Sequence, residues 1–68
     1  MLSQKQIDEL KRFYLLYGNK PIRRYEFQYF NIDQAPPKLI LDGYIGTMLY
    51  GKYIIINSKI LELDWQNK

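Results

Sequence analysis

The side chains that most often carry out catalysis are sparse in this sequence. Its 68 residues include no cysteine and no histidine, so the commonest nucleophile, general base and metal ligands are missing. Glu62 and Asp64 are two residues apart on a predicted strand and would face the same side as solvated charges. The glycines of residues 43–51 precede no helix, which excludes a phosphate-binding loop. We therefore predict a protein that is not an enzyme and holds no metal or cofactor.

The positive charges indicate a binding role. The formal net charge is +3 at pH 7, and five cations lie between residues 11 and 24 with no acid among them. Lys and Arg side chains bind the phosphates of nucleic acids, so we predict a nucleic-acid-binding surface with duplex DNA as its favoured ligand. The alternative is the ordinary solvated face of a basic protein. The predicted binding residues are Lys20, Arg23, Arg24, Lys38 and Lys52.

Four aromatic residues interleave with Arg23, Arg24 and Gln28 in residues 23–30. Exposed rings next to cations are typical of surfaces that stack the bases of single strands. Small domains, however, bury rings to gain apolar contact area, and we favour burial here. The four rings are Tyr25, Phe27, Tyr29 and Phe30.

A second group of aromatic residues indicates a protein partner. Trp65, Tyr50 and Tyr53 are residue types that are common at the energetic centres of interfaces. A predicted last strand over residues 60–65 would leave an unpaired sheet edge. The alternative function is therefore an interaction module or inhibitor that docks on a host protein through this edge. The edge could also pair with a second copy to form a homodimer, or Trp65 could close the core.

The most distinct secondary-structure signal is a helix over residues 3–17. Ser3 and Gln6 have the spacing of a capping box, apolar residues recur every three or four positions, and Gly18 and Pro21 end the helix. Residues 22–32 fit a strand or a helix, and we favour a helix because Pro21 suits its first position. The predicted core positions are Ile7, Leu10, Phe13, Tyr14, Ile22, Leu39, Leu41, Ile45, Ile54, Ile56, Leu61 and Leu63.

Beyond the prolines at positions 36 and 37 the apolar pattern changes to that of a sheet. Residues 38–41 read as a short apolar turn, and residues 44–49, 52–56 and 60–65 read as three strands of an antiparallel meander. The prediction is one α+β domain over residues 1–68, with N-terminal helices and a C-terminal sheet.

The wider setting is also predicted from composition. No run approaches the ~20 apolar residues of a membrane span and no signal peptide is visible, so we expect a cytoplasmic protein without a membrane partner. Nine Ile, seven Lys, seven Tyr and four Asn are residues with A/T-rich codons. This usage favours an A/T-rich genome, such as that of a phage or plasmid.

The segment LDGYI (residues 41–45) and the hairpin that leads to KYII (residues 52–55) resemble the winged helix-turn-helix class. In that class the third helix commonly ends in an apolar residue, a polar or acidic residue and Gly-aromatic-Ile, before a two-stranded wing. The resemblance implies that residues 3–17 and 22–32 are the first two helices and that the protein is a DNA-binding regulator of transcription. Only ten residues, two of them proline, separate Ile32 from Gly43. This short third helix shifts binding toward the wing, the basic segment or a protein contact.

The rival architecture takes residues 22–30 as a strand. A helix followed by four or five curved strands would resemble an SH3-like or Sm-like small barrel, with Gly43 and Gly46 permitting the bend of a long strand. Such a barrel implies binding to single-stranded RNA or peptides.

Overall fold

Two α-helices and a three-stranded antiparallel sheet form the fold. The computed structural model describes residues 2–63. In chain order the elements are α1 (Gln4–Tyr17), β1 (Ile22–Arg23), α2 (Pro37–Leu41), β2 (Ile45–Met48) and β3 (Tyr53–Ile56), with short 3-10 helices at Arg24–Glu26, Ile32–Gln34 and Ser58–Glu62. The predicted α+β class, with a helix first and an antiparallel sheet after it, is confirmed. No helix among these residues is long and apolar enough to cross a bilayer.

Helix α1 begins and ends where the sequence predicts. The Ser3 hydroxyl accepts the Gln6 N–H at 3.2 Å, and the Gln6 side-chain oxygen accepts the Ser3 N–H at 2.8 Å. This is a reciprocal capping box, which satisfies two N–H groups that the helix leaves without partners. Gly18 ends the helix at a φ of 66°, in the left-handed region that glycine enters without a Cβ clash. Ile7 and Leu10 on its inner face are buried.

Strand β3 lies at the centre of the sheet, in the order β1-β3-β2. The register pairs Ile22 with Ile54, and Ile45 with Ile56. The meander prediction is confirmed for the β2–β3 hairpin. It is wrong for the third strand, because that strand is β1, which precedes the hairpin in the chain.

Residues 60–62, predicted as part of the last strand, belong instead to the 3-10 helix Ser58–Glu62. The Asn57 side chain accepts the Lys59 N–H at 2.8 Å, which turns the chain immediately after β3. The turn carries Ile60 into the core. Asp64 and Trp65, predicted to extend this strand, lie outside the described residues.

The helix favoured for residues 22–32 is wrong, and so is the rival strand over residues 22–30. Only Ile22–Arg23 is a strand, and the Glu9 carboxylate directs the backbone beyond it. Its two oxygens accept the N–H groups of Gln28, Tyr29 and Phe30 at 2.6, 3.0 and 2.8 Å. We call residues 27–30 the Glu9-anchored loop. These three hydrogen bonds replace the bonds that a helix or strand would supply to the same N–H groups.

The core lies between α1, the Glu9-anchored loop and one face of the sheet. The prediction that Leu41 and Leu61 belong to the core is wrong, because these residues are 81% and 45% exposed. On so short a helix as α2 only Leu39 faces inward, and Leu61 follows the buried Ile60 on a turn that points it outward. Phe13, Tyr14 and Leu63 pack against the core while partly exposed. The buried apolar residues are Leu2, Ile7, Leu10, Ile22, Phe27, Phe30, Leu39, Ile45, Ile54, Ile56 and Ile60.

The aromatic residues of the second quarter of the chain divide into two groups. Phe27 packs on Phe13 and Phe30, with ring centres 4.7 and 5.8 Å apart. Burial is thus confirmed for Phe27 and Phe30, but it is wrong for Tyr25 and Tyr29, which are 72% and 47% exposed. The phenylalanines supply core area, while the tyrosines remain on the surface.

Candidate functional site

The turn between β2 and β3 has an unusual backbone. Leu49 and Tyr50 have φ angles of 52° and 58°, and Gly51 follows at 87°. The Gly51 N–H donates to the Met48 carbonyl at 3.1 Å, which gives the geometry of a type I′ turn. That turn usually takes Asn-Gly at its centre, and a bulky residue held in the left-handed region costs about 1–2 kcal/mol. The result is a tyrosine at the hairpin tip whose side chain is fully exposed.

A row of side chains crosses all three strands on the face of the sheet away from the core. The register places Arg23 opposite Tyr53, and Tyr53 opposite Met48. Because successive residues of a strand point to opposite faces and Ile54 points into the core, Tyr53 and its two cross-strand neighbours lie on the outer face. This row begins directly beside the hairpin tip.

Arg23 is held in place by tyrosines. Its Nη1 donates to the Tyr25 hydroxyl at 2.8 Å, and its guanidinium lies 5.9 Å from the centre of the Tyr25 ring. The hydrogen bonds with the hydroxyls of Tyr25 and then Tyr53 raise the pKa of Arg23 above its ordinary value. The positive charge is therefore permanent, exposed and fixed on a frame of two rings.

Lys52 and Arg24 lie at the same end of the sheet but differ in their surroundings. The Arg24 N–H donates to the Lys52 carbonyl at 3.0 Å, which brings Lys52 next to the end of β1. The Arg24 guanidinium turns to Asp33, whose carboxylate accepts a hydrogen bond at 2.7 Å. A Cβ on Gly51 would stand 4.0 Å from Arg24 Nη1. Arg24 thus connects the segment that contains Asp33 to the hairpin, and its positive charge is paired with the Asp33 carboxylate.

These residues lie at the end of the sheet that carries the hairpin tip, and we call them the hairpin-tip patch; none of their side chains is acidic. The nearby Glu26 carboxylate lies 3.5 Å from the Tyr17 hydroxyl on α1. Two cations predicted to bind nucleic acid and two tyrosines predicted to bind a partner therefore lie at the same end of the sheet. The patch consists of Arg23, Tyr25, Met48, Tyr50, Lys52 and Tyr53.

The other predicted site residues lie elsewhere. Lys20 precedes the N-terminal end of β1, and Lys38 lies on α2, 3.8 Å from the Asp42 carboxylate. Trp65 lies outside the described residues. The prediction weighed Tyr25 as a base-stacking ring but favoured its burial, and it overlooked Met48. Tyr25 is two residues beyond Arg23, and Met48 is the cross-strand neighbour of Tyr53, so the hairpin register was the signal for Met48.

Two further features of the described residues lie outside this patch. Glu9 is the buried charged residue of the described chain, at 1% exposure, and the Glu9-anchored loop occupies both of its carboxylate oxygens. Beneath residues 24–34 an open depression of about 380 Å³ is lined by Gln28, Asn31 and Gln34 among others, and its one cation, Arg24, pairs with Asp33. Within residues 2–63 no three His, Cys, Asp or Glu side chains are grouped to hold a metal ion. The hairpin-tip patch is the stronger candidate.

No protein-family model, curated protein sequence or solved structure matches this chain. The fold and the site describe a small α+β domain with exposed cations and tyrosines at one end of its sheet.

Proposed function

We propose that this protein is a small, non-enzymatic nucleic-acid-binding module and that the hairpin-tip patch is its contact surface. The observation that carries the proposal is Arg23: exposed, fixed by a 2.8 Å hydrogen bond to the Tyr25 hydroxyl, and close to Lys52 through the β1–β3 pairing. Phosphate contacts need cations that no carboxylate neutralises, and binding is driven by counterion release. A rigid guanidinium also loses less side-chain entropy on binding than a mobile one.

A partial likeness to the winged-helix class supports the proposal, although the second helix of that class is replaced here by β1 and short 3-10 helices. The short helix α2 is followed by Gly43, Tyr44 and Ile45 and then by a two-stranded hairpin, in the order that the class uses. Helix α2 has five residues, a length of about 7.5 Å at 1.5 Å per residue, and Lys38 on it is paired with Asp42. The wing is therefore the principal contact element, and a regulator of transcription from a phage or plasmid would act through it.

The test is a fluorescence anisotropy titration with labelled DNA across a salt series that begins at about 50 mM. Arg23→Gln and Lys52→Gln should each weaken binding and lower the salt slope by about 0.9 on duplex DNA or about 0.7 on a single strand. Arg12→Gln is the matched control, because Arg12 is an exposed arginine on α1. Salt-independent binding, or an equal loss with Arg12→Gln, would contradict the proposal.

A protein-interaction module is the second candidate, and exposed apolar side chains favour it. Leu15, Leu16 and Leu41 are each at least 66% exposed, which a monomer gains nothing by displaying. The sheet edge predicted at residues 60–65 cannot serve, since residues 60–62 form a 3-10 helix. The outer strands of the sheet are β1 and β2. Sedimentation equilibrium over a range of protein concentrations tests self-association, which Leu16→Gln should abolish if this surface is the contact.

A further inference from the structure

We propose, on the basis of the function proposed above, that the hairpin-tip patch binds single-stranded rather than double-stranded nucleic acid. Bases stack on the rings of Tyr50 and Tyr25, while Arg23 and Lys52 hold the adjacent phosphates. Every base has a flat π-face, so such a surface accepts many sequences. The cations fix the path of the strand across the outer face of the sheet.

The exposure of the two rings carries the first step. Tyr50 is fully exposed and Tyr25 is 72% exposed, whereas the neighbouring phenylalanines fill the core. A tyrosine ring in water gains nothing from its large apolar area until something covers it. In a duplex the bases already stack on one another, so only an unpaired base offers its face to these rings.

The rigidity of the site carries the second step. The positive φ angles of Leu49 and Tyr50 place Tyr50 at the tip of the turn, and the hydrogen bond from Arg23 restrains the Tyr25 ring. Binding groups that are already ordered lose less conformational entropy when the ligand arrives. The turn therefore presents the Tyr50 ring to solvent, and Arg23 orders the Tyr25 ring.

The fit to a duplex is poorer on the same surface. The major groove admits a recognition helix, but α2 has only five residues and ends in the exposed, apolar Leu41. The narrow minor groove attracts inserted cations, but the hairpin tip carries Leu49 and Tyr50. Arg23 lies on β1 and Lys52 follows the turn before β3, and in the proposed complex both bind the backbone of a strand that lies across the tyrosines.

The experiment compares two labelled probes by anisotropy at about 50 mM salt. One is oligothymidylate of about 15 nucleotides, enough to fill a site of ~4–16 nucleotides, and the other is a duplex of the same length. The single strand should bind at least about tenfold more tightly. Tyr50→Ala should weaken single-strand binding by about 5- to 100-fold, the equivalent of one stacked base, and leave duplex binding unchanged. Tyr50→Phe should retain the wild-type affinity, because stacking needs the ring and not the hydroxyl.

Two variants distinguish the effect of the Tyr50 ring on binding from its effect on folding stability. Tyr50→Gly removes the ring but suits the positive φ, so it should raise the melting temperature while losing single-strand binding. Tyr29→Ala, which removes an exposed tyrosine that lies under Lys5 on α1, should bind like the wild type. Equal or tighter binding of the duplex, or an equal loss with Tyr29→Ala, would overturn the single-strand proposal and leave the proposed function standing. Absence of salt-dependent binding to both probes would overturn both.

Discussion

The Glu9-anchored loop and the hairpin-tip patch use aromatic residues for opposite purposes. In the loop, Phe27 and Phe30 are buried, and three backbone N–H groups donate to the Glu9 carboxylate. At the hairpin tip, Tyr50 projects into solvent from a turn whose backbone is strained. The loop packs in the core with α1 and the sheet and stabilises the fold. The hairpin tip has a strained backbone and an exposed ring, so substitutions in the two regions should affect different properties.

The largest expected effect falls in the loop. Glu9→Ala should lower the free energy of unfolding by about 4 kcal/mol, because the buried N–H of Phe30 and the partly buried N–H groups of Gln28 and Tyr29 lose their acceptor together and a buried N–H without an acceptor costs about 1–3 kcal/mol. A domain of this length has a total stability of about 3–10 kcal/mol, so much of the population should unfold. Urea denaturation followed by circular dichroism measures the change.

Asp8→Ala is the matched control for Glu9→Ala. Asp8 is an exposed carboxylate on the same helix that accepts a bond from Gln4 at 2.7 Å, and its loss should change stability by less than about 0.5 kcal/mol. Similar values for the two variants would mean that the loop is not anchored by Glu9.

The second prediction tests which side chain of the segment after β3 faces the core. Ile60→Ala should cost about 3 kcal/mol, since Ile60 is fully buried and its truncation leaves a cavity. Leu61→Ala should cost less than about 1 kcal/mol, because Leu61 is on the surface. A strand over residues 60–65 with Leu61 facing the core predicts the reverse order, so the two denaturation midpoints decide between the two structures.

The third prediction concerns the hairpin itself. Tyr50→Gly should increase the free energy of unfolding by about 1 kcal/mol, because glycine removes the left-handed strain. In a domain of 60–100 residues this corresponds to a rise in melting temperature of about 4–8 °C. Tyr25→Gly is the control: Tyr25 has a negative φ, so glycine there should lower the melting temperature. An unchanged or lower melting temperature for Tyr50→Gly would show that the turn is not strained.

The smallest expected effect is that of pH on binding. The pKa of Arg23 is raised by Tyr25 and Tyr53, so its charge is complete below its ordinary pKa and is lost only above the raised value. The chain has no histidine, the side chain whose ordinary pKa lies between about 5 and 8. Between about pH 6 and pH 9 the affinity for nucleic acid should therefore change by less than about twofold. A larger change in an anisotropy titration would mean that a group other than Arg23 supplies the charge.

The residues of the hairpin-tip patch were predicted only in part from the sequence. Arg23, Lys52, Tyr50 and Tyr53 were all selected from the sequence, because cations and tyrosines near a glycine turn are residue types suited to binding. They were assigned to two different partners, since nothing local shows that β1 pairs with β3. Lys38 was selected on charge alone, and a carboxylate one helical turn away already pairs with it.

Helix α1 and the β2–β3 hairpin were determined by the sequence itself, because a capping box, an apolar period and glycine turns act between residues a few positions apart. The tertiary structure alone decided the course of residues 24–34 and the third strand of the sheet. The Glu9 carboxylate binds N–H groups that lie 19 to 21 residues further along the chain, and β1 pairs with a strand about 30 residues away. Both interactions exist only once the chain has folded, and each contributes more free energy than the weak local preference that it overrides.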